Sequence, residues 1–258
     1  MPEITSYSEG TPCWADLGVP DVDSAKRFYM AVFGWDFIDP GPDAGGYLLA
    51  TKNGKQVAGI GPLMSPEQPV AWTIYLWSDD VDASAKLIRD AGGSIIVEPM
   101  DVMDQGRMAI AVDHAAAGFG LWQGKAHRGS ELAGEHGTSA WHELTTPDTA
   151  AAREFYSAVF GYTYNPVEGM DYHVVQVGGR DAGGIMGPTE GMPEMPPHWS
   201  IYFEVDDTDA AVARVRENGG HVLMEPEDTP YGRMAVVQDS SGAGFNVIHS
   251  QPAEAAAQ

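Results

Sequence analysis

The chain writes one plan twice. Residues 11–36, TPCWADLGVPDVDSAKRFYMAVFGWD, return without a gap at 138–163 as TSAWHELTTPDTAAAREFYSAVFGYT, with 12 of 26 positions identical. A second block, AWTIYLWSDDVDA (71–83), returns as HWSIYFEVDDTDA (198–210). The tails GRMAIAVDHAAAGFGLW (106–122) and GRMAVVQDSSGAGFNVI (232–248) complete the match. A repeat this long is a whole domain rather than a solenoid turn. The 258 residues therefore divide into two domains, each of about 125 residues and large enough to bury its own core.

Each half divides again. Cys13 to Val19 alternates as a strand does, and Pro20-Asp21 follows. Ala25, Phe28, Tyr29, Val32 and Phe33 then fall at helical spacing, with Asp21 or Asp23 placed to cap the start and Gly34 to end the helix. Short strands follow near 35–38, 47–51 and 56–60, separated by Gly, Pro and Asn turns. The next block repeats this order: strand 72–78, helix 81–91 closed by Gly92-Gly93, then strands near 94–97, 108–112 and 119–123. The expectation is an α+β chain of four βαβββ units. Domain one spans 1–124, a linker rich in Gly, Ser and His spans 125–137, domain two spans 138–250, and 251–258 reads as a disordered tail.

Charge narrows the partners. Thirty-seven acidic residues against 14 basic ones give a net charge of −23. Nucleic acid and anionic membrane surfaces repel such a chain, and no Lys/Arg cluster offers a local exception. Cys13 is the single cysteine, so no internal disulfide forms. No apolar run has transmembrane length, and MPEITSYSEG lacks the layout of a signal peptide. A cytoplasmic protein is expected, either a monomer built as an internal pseudo-dimer or a homodimer.

Pro-Asp…Phe-Tyr…Phe-Gly at 20–34 and 147–161, Asp-Asp…Gly-Gly…Glu-Pro at 79–99 and 206–226, and Asp…Gly-Ala-Gly-Phe at 239–245 resemble the vicinal-oxygen-chelate superfamily. That group holds glyoxalases, bleomycin-resistance proteins and extradiol dioxygenases, and the tandem arrangement is similar to actinobacterial glyoxalase-like proteins. The resemblance implies paired βαβββ units whose mixed sheets curl into cups, with a divalent metal held by His, Glu or Gln. The implied metal positions fall on Trp14, Thr73 and Gly120 in one copy and on Trp141, Ser200 and Asn246 in the other. Tryptophan offers only an N–H, glycine offers nothing, and neutral hydroxyls ligate weakly. The expectation is therefore no metal and no cofactor at the inherited site.

Alternation along the strands sets what each cup holds. Cup one is expected to carry Trp14, Asp16, Thr73, Tyr75, Trp77 and Trp122, with Tyr47 at its wall. These aromatics suit a flat or cationic ligand, or else fill the cup themselves. Cup two is expected to carry Trp141, Glu143, Ser200, Tyr202, Glu204, Asn246 and Ile248. Glu143, Glu204 and Asn246 suggest acid–base work or, alternatively, a relocated hard cation. By the same alternation Cys13 and His142 face the helices. Arg107 and Arg233 of the paired Gly-Arg-Met either meet an anion at each rim or form surface ion pairs.

Two functions follow. A binding module would hold a small aromatic or cationic organic molecule without turnover, as resistance proteins do. An enzyme (lyase, isomerase, cyclase or hydroxylase) would use Asp16, Glu143 or Glu204 as its acid or base. Fold alone does not choose between them.

Overall fold

A computed structural model describes residues 4–188 and 195–251. The first unit is β1 (Pro12–Val19), α1 (Val22–Phe33), β2 (Asp36–Ile38), β3 (Leu48–Lys52) and β4 (Lys55–Pro62). The second is β5 (Trp72–Trp77), α2 (Val81–Asp90), β6 (Ser94–Val102), β7 (Gly106–Val112) and β8 (Gly118–Gly124). The third is β9 (Ser139–Thr145), α3 (Thr149–Phe160), β10 (Thr163–Pro166), β11 (Tyr172–Val177) and β12 (Arg180–Met186). The fourth is β13 (His198–Glu204), α4 (Thr208–Glu217), β14 (His221–Thr229), β15 (Gly232–Gln238) and β16 (Gly244–Ser250). All but residue 251 of the expected tail lies outside the described residues.

The helices begin where the sequence places acids. Asp21, Asp80, Asp148 and Asp207 each accept a backbone N–H from three residues ahead, filling a donor the first turn leaves open. Gly34 and Gly161 end α1 and α3 in the left-handed conformation, at φ 67° and 68°, which costs glycine little.

Each half folds into one eight-stranded mixed sheet, β2-β3-β4-β1-β5-β8-β7-β6 and β10-β11-β12-β9-β13-β16-β15-β14. The two units of a half join where β1 meets β5, and β9 meets β13, antiparallel. Each cup is therefore formed within one half.

The halves meet through helices and an aromatic core. α1 packs on α4, α2 packs on α3, and β5 touches β13. Phe33, Trp35 and Trp72 from the first half surround Phe203 and Phe245 from the second. Two reciprocal bonds tie the copies: the Tyr29 hydroxyl donates to Asp239 at 3.0 Å, and that of Tyr156 to Asp113 at 3.3 Å. Each aspartate also accepts N–H groups of its own final turn. Burial raises the pKa of Asp239 despite those bonds.

One residue departs from simple alternation. The β1–β5 register shifts between Pro12 and Trp14, and this bulge brings Cys13 to the cup side, against Trp14, Tyr75 and Trp122. Cys13 does not face α1, as the uninterrupted strand pattern required. Its thiol donates to the Tyr75 carbonyl at 3.4 Å, and burial pushes its pKa up.

Candidate functional site

The same four-residue circuit sits in both cups. In cup one Asp16 lies opposite Thr73 of β5 and beside Gly59 of β4. Because Gly59 has no side chain, Tyr47 lies across β4; a Cβ there would come within 1.8 Å of its hydroxyl. The Trp14 indole donates to the Tyr47 oxygen at 3.0 Å. Tyr47 and Tyr75 in turn donate to Asp16 Oδ2, at 3.4 and 3.0 Å. In cup two Glu143 lies opposite Ser200 of β13 and beside Gly184 of β12. A Cβ at Gly184 would sit 2.0 Å from the Tyr172 hydroxyl. Trp141 donates to Tyr172 at 2.8 Å, and Tyr202 donates to Glu143 Oε1 at 3.0 Å.

Electrostatics treats the two acids alike. Desolvation pushes the pKa of Asp16 up to about 7, against the pull of Tyr75 and Tyr47. Burial likewise raises Glu143, opposed by hydrogen bonds from Tyr172 and Tyr202. Both carboxyls therefore hold a proton more readily than a solvated acid.

The sequence reading placed Trp14, Asp16, Tyr75, Trp141, Glu143 and Tyr202 together, and the structure does bring them together. It left Tyr47 at the wall and missed Tyr172. The missing signal was present: a Tyr with a Gly twelve residues later occurs at 47/59 and again at 172/184. Replacing Gly184 by alanine is expected to displace Tyr172 and disconnect Trp141 from Glu143 without altering any of the three. Near-ultraviolet circular dichroism should change at the aromatic bands, while the far-ultraviolet spectrum of the fold stays intact. Unchanged aromatic signals would overturn the circuit.

What surrounds the circuit differs between cups. In cup one Trp14, Tyr75 and Trp122 are only 5–6% exposed and form a buried cluster with Cys13. Met108, Ile110, Val102, Leu49, Trp77 and Tyr7 pack around it. The aromatics thus fill cup one. In cup two the place of Trp122 is taken by Ile248 and that of Trp77 by Glu204. Trp141, Tyr172 and Tyr202 there are half-exposed above a buried Glu143. Asn246 contributes to this difference. Tyr75 lies so close over Gly120 that a Cβ there would be 2.2 Å from its ring. Tyr202 meets Asn246 at the matching position, so its ring has no glycine to settle on.

Four residues expected at the cups or their rims are held by partners at the sheet ends and on the surface. Glu204 binds the Ser250 backbone N–H and hydroxyl at the sheet end, at 2.9 and 2.5 Å. It lies four residues along β13 from Ser200, the partner of Glu143, about 13 Å away at strand rise. Trp77 donates to Asp79 at 2.9 Å and stacks on Tyr7 at the strand end. Arg107 grips Asp82 with two bonds of 2.7 and 2.9 Å, and Arg233 does the same with Asp209 at 2.6 and 2.9 Å. The arginines are thus surface ion pairs. His142 bonds Ser139 Oγ at 3.1 Å, and burial lowers its pKa to about 4.

The donor set does not suit the superfamily's divalent metal. Trp14, Thr73 and Gly120, and likewise Trp141, Ser200 and Asn246, supply no charged or imidazole donor. Asn246 instead donates to the Ile201 carbonyl at 3.4 Å. Among the described residues no group of three or more His, Cys, Asp or Glu is arranged to hold a metal ion. No described helix is long and apolar enough to cross a membrane.

Paired βαβββ units, two cup-shaped sheets and the repeated motifs define a tandem vicinal-oxygen-chelate protein. The chain belongs to the Glyoxalase/Bleomycin resistance protein/Dioxygenase superfamily, whose family model matches residues 13–119 and again 138–247. CFP32 of Mycobacterium tuberculosis, which carries the name glyoxylase, is 42% identical over 98% of this chain and 99% of its own length. The anthracycline biosynthesis protein DnrV of Streptomyces peucetius is 38% identical over 95% of each chain. Among solved structures, the Mn(II)-bound glyoxalase of Novosphingobium aromaticivorans superposes with a TM-score of 0.66 at 16% identity. That match covers 96% of this chain and 86% of the glyoxalase, and it speaks to fold alone.

Proposed function

We propose that the protein binds a small, flat, aromatic organic molecule in cup two, without a divalent metal. The observation that carries this reading is the half-open trio of Trp141, Tyr172 and Tyr202 over the buried carboxyl of Glu143. Ring faces supply stacking, and the carboxyl accepts a hydrogen bond from a ligand hydroxyl or amine. A protonated amine gains most, since both the ring faces and the acid favour a cation. The net charge of −23 draws such ligands toward the protein. A relative named for anthracycline biosynthesis supports a flat polycyclic ligand.

Acid–base chemistry at the same carboxyl is the second reading. The raised pKa of Glu143 favours it, since burial makes this carboxyl hold a proton more readily than a solvated acid does. One experiment separates the two. A panel of polycyclic aromatic amines and their uncharged analogues is measured by equilibrium dialysis, with product analysis of each mixture. Trp141→Ala is expected to weaken binding at least tenfold, and a chelator to change nothing. If Glu143→Gln keeps the ligand and stops a conversion that the native protein performs, chemistry is the function. If no member of the panel binds, or Trp141→Ala binds as tightly, the cup-two reading falls.

A further inference from the structure

The helix side of the second sheet carries a groove that neither cup explains. In cup one the His127 ring, edge-on to Trp14 at 4.3 Å between centroids, completes the aromatic packing. On the other face of copy two, between α3 and the edge strand β10, a space of about 450 Å³ opens to solvent. Ala150, Arg153, Glu154, Ser157 and Tyr164 line it. Bonds to the backbone fix its walls: the Ser157 hydroxyl donates to the Tyr162 carbonyl at 2.8 Å, and that of Tyr164 to the Arg153 carbonyl at 3.0 Å.

The first copy covers the same place with its own side chains. There Lys26 holds Nζ 5.9 Å above the centre of the Phe37 ring, and Met30 stands where copy two has Ser157. Arg153, the equivalent of Lys26, instead donates Nε to the Thr149 carbonyl at 3.2 Å, back along α3. Among the described residues no cation lies over the Tyr164 ring.

Arg153 is also unusual in so acidic a chain. Arg89, Arg107, Arg216 and Arg233 each grip a carboxylate, whereas among the described residues no carboxylate pairs with Arg153. Its two terminal amino groups keep the planar fork that matches a carboxylate. The guanidinium charge reaches His173 of β11, which stands where copy one has Leu48. His173 Nδ1 is buried without a hydrogen-bond partner. Desolvation and then Arg153 lower its pKa, against the pull of Asp171.

We infer that this groove binds a flat aromatic acid, its ring on the Tyr164 face and its carboxylate held by the Arg153 fork. Charge complementarity selects the acid, since the one cation lining the space has no carboxylate of its own. Glu154, exposed at the rim, opposes an anion and limits the affinity. The remaining negative charge acts from farther away and is screened beyond about 8 Å at physiological salt. The groove thus takes the charge opposite to the one cup two favours, and it does not depend on what cup two binds.

The test compares 2-naphthoate with its uncharged amide by equilibrium dialysis. The native protein is expected to bind the acid about tenfold more tightly than the amide. Arg153→Gln should erase that preference. Ser157→Met, which restores the residue of copy one, should close the groove to both compounds. Glu154→Gln should tighten binding of the acid about threefold. Trp141→Ala should leave it unchanged, because cup two takes no part. Naphthoate should also raise the pKa of His173, read from its imidazole proton resonances, as the bound anion offsets the Arg153 charge. An acid that binds no tighter than its amide overturns the inference. So does a preference that survives Arg153→Gln, or one that Trp141→Ala removes.

Discussion

Replacing Phe203 by alanine is expected to destabilise the protein by about 3–5 kcal/mol and to unfold both halves in one step. Phe203 is fully buried, and its ring lies 4.8 Å from Phe33, 5.3 Å from Trp72 and 5.6 Å from Trp35, all in the other half. Deleting it removes the ring's own transfer free energy and leaves a cavity in a core shared by both copies. That core is continuous: Tyr29 reaches Asp239 and Tyr156 reaches Asp113 across the same interface. Urea unfolding followed by tryptophan fluorescence and by far-ultraviolet dichroism should therefore give one coincident transition, shifted to lower urea. A second transition in the variant would mean that each half holds itself up. A loss under about 1 kcal/mol would mean the core had closed over the gap.

The duplication made most of this fold readable. Helix starts at Asp21, Asp80, Asp148 and Asp207 follow from capping chemistry, and the buried stripe Ala25, Phe28, Tyr29, Val32 and Phe33 follows from helical period. Strand alternation found Trp14 and Asp16 because both lie past the bulge. It failed at Cys13, since a single inserted residue reverses the faces of a strand and leaves no mark in composition. It also failed at Glu204. Facing inward at a strand's end is not the same as reaching the centre of the cup, and the Ser250 backbone claimed that carboxylate. Tyr172 was missed for a different reason, although the repeated spacing of Tyr47/Gly59 and Tyr172/Gly184 marked it. Its place in the circuit depends on a missing side chain at Gly184, on another strand, and pattern reading along one strand cannot register that. The division of labour between cups was legible only in part. Trp122 against Ile248 shows in the sequence, whereas the return of His127 into cup one is a tertiary event.

The second large effect concerns Asp16 and pH. Its folded pKa, about 7, stands above the 3.8 of an ordinary aspartate. The native state therefore holds a proton that the unfolded chain releases, and Asp16 makes stability fall as pH rises from about 4 to 7. Below that window the acid is neutral in both states, and its contribution vanishes. Above it the charged carboxyl sits in a packed cup at a cost of about 2–4 kcal/mol. The native profile alone would hide this, because His127 and His142, both lowered to about 4 by burial, make stability rise with pH between 4 and 6.5. The difference between Asp16→Asn and the native protein isolates one group. That difference should be near constant below pH 4, grow in favour of the variant through neutrality, and level off above pH 8. A difference that does not vary with pH would show that Asp16 titrates as a solvated acid. Glu143→Gln should move in the same direction, since burial raises that acid too. In the half-open cup, however, a bound cationic ring should lower the Glu143 pKa, so the variant's advantage at high pH should shrink when an aromatic amine is present. In cup one the His127 ring and the aromatic cluster leave no such route to Asp16.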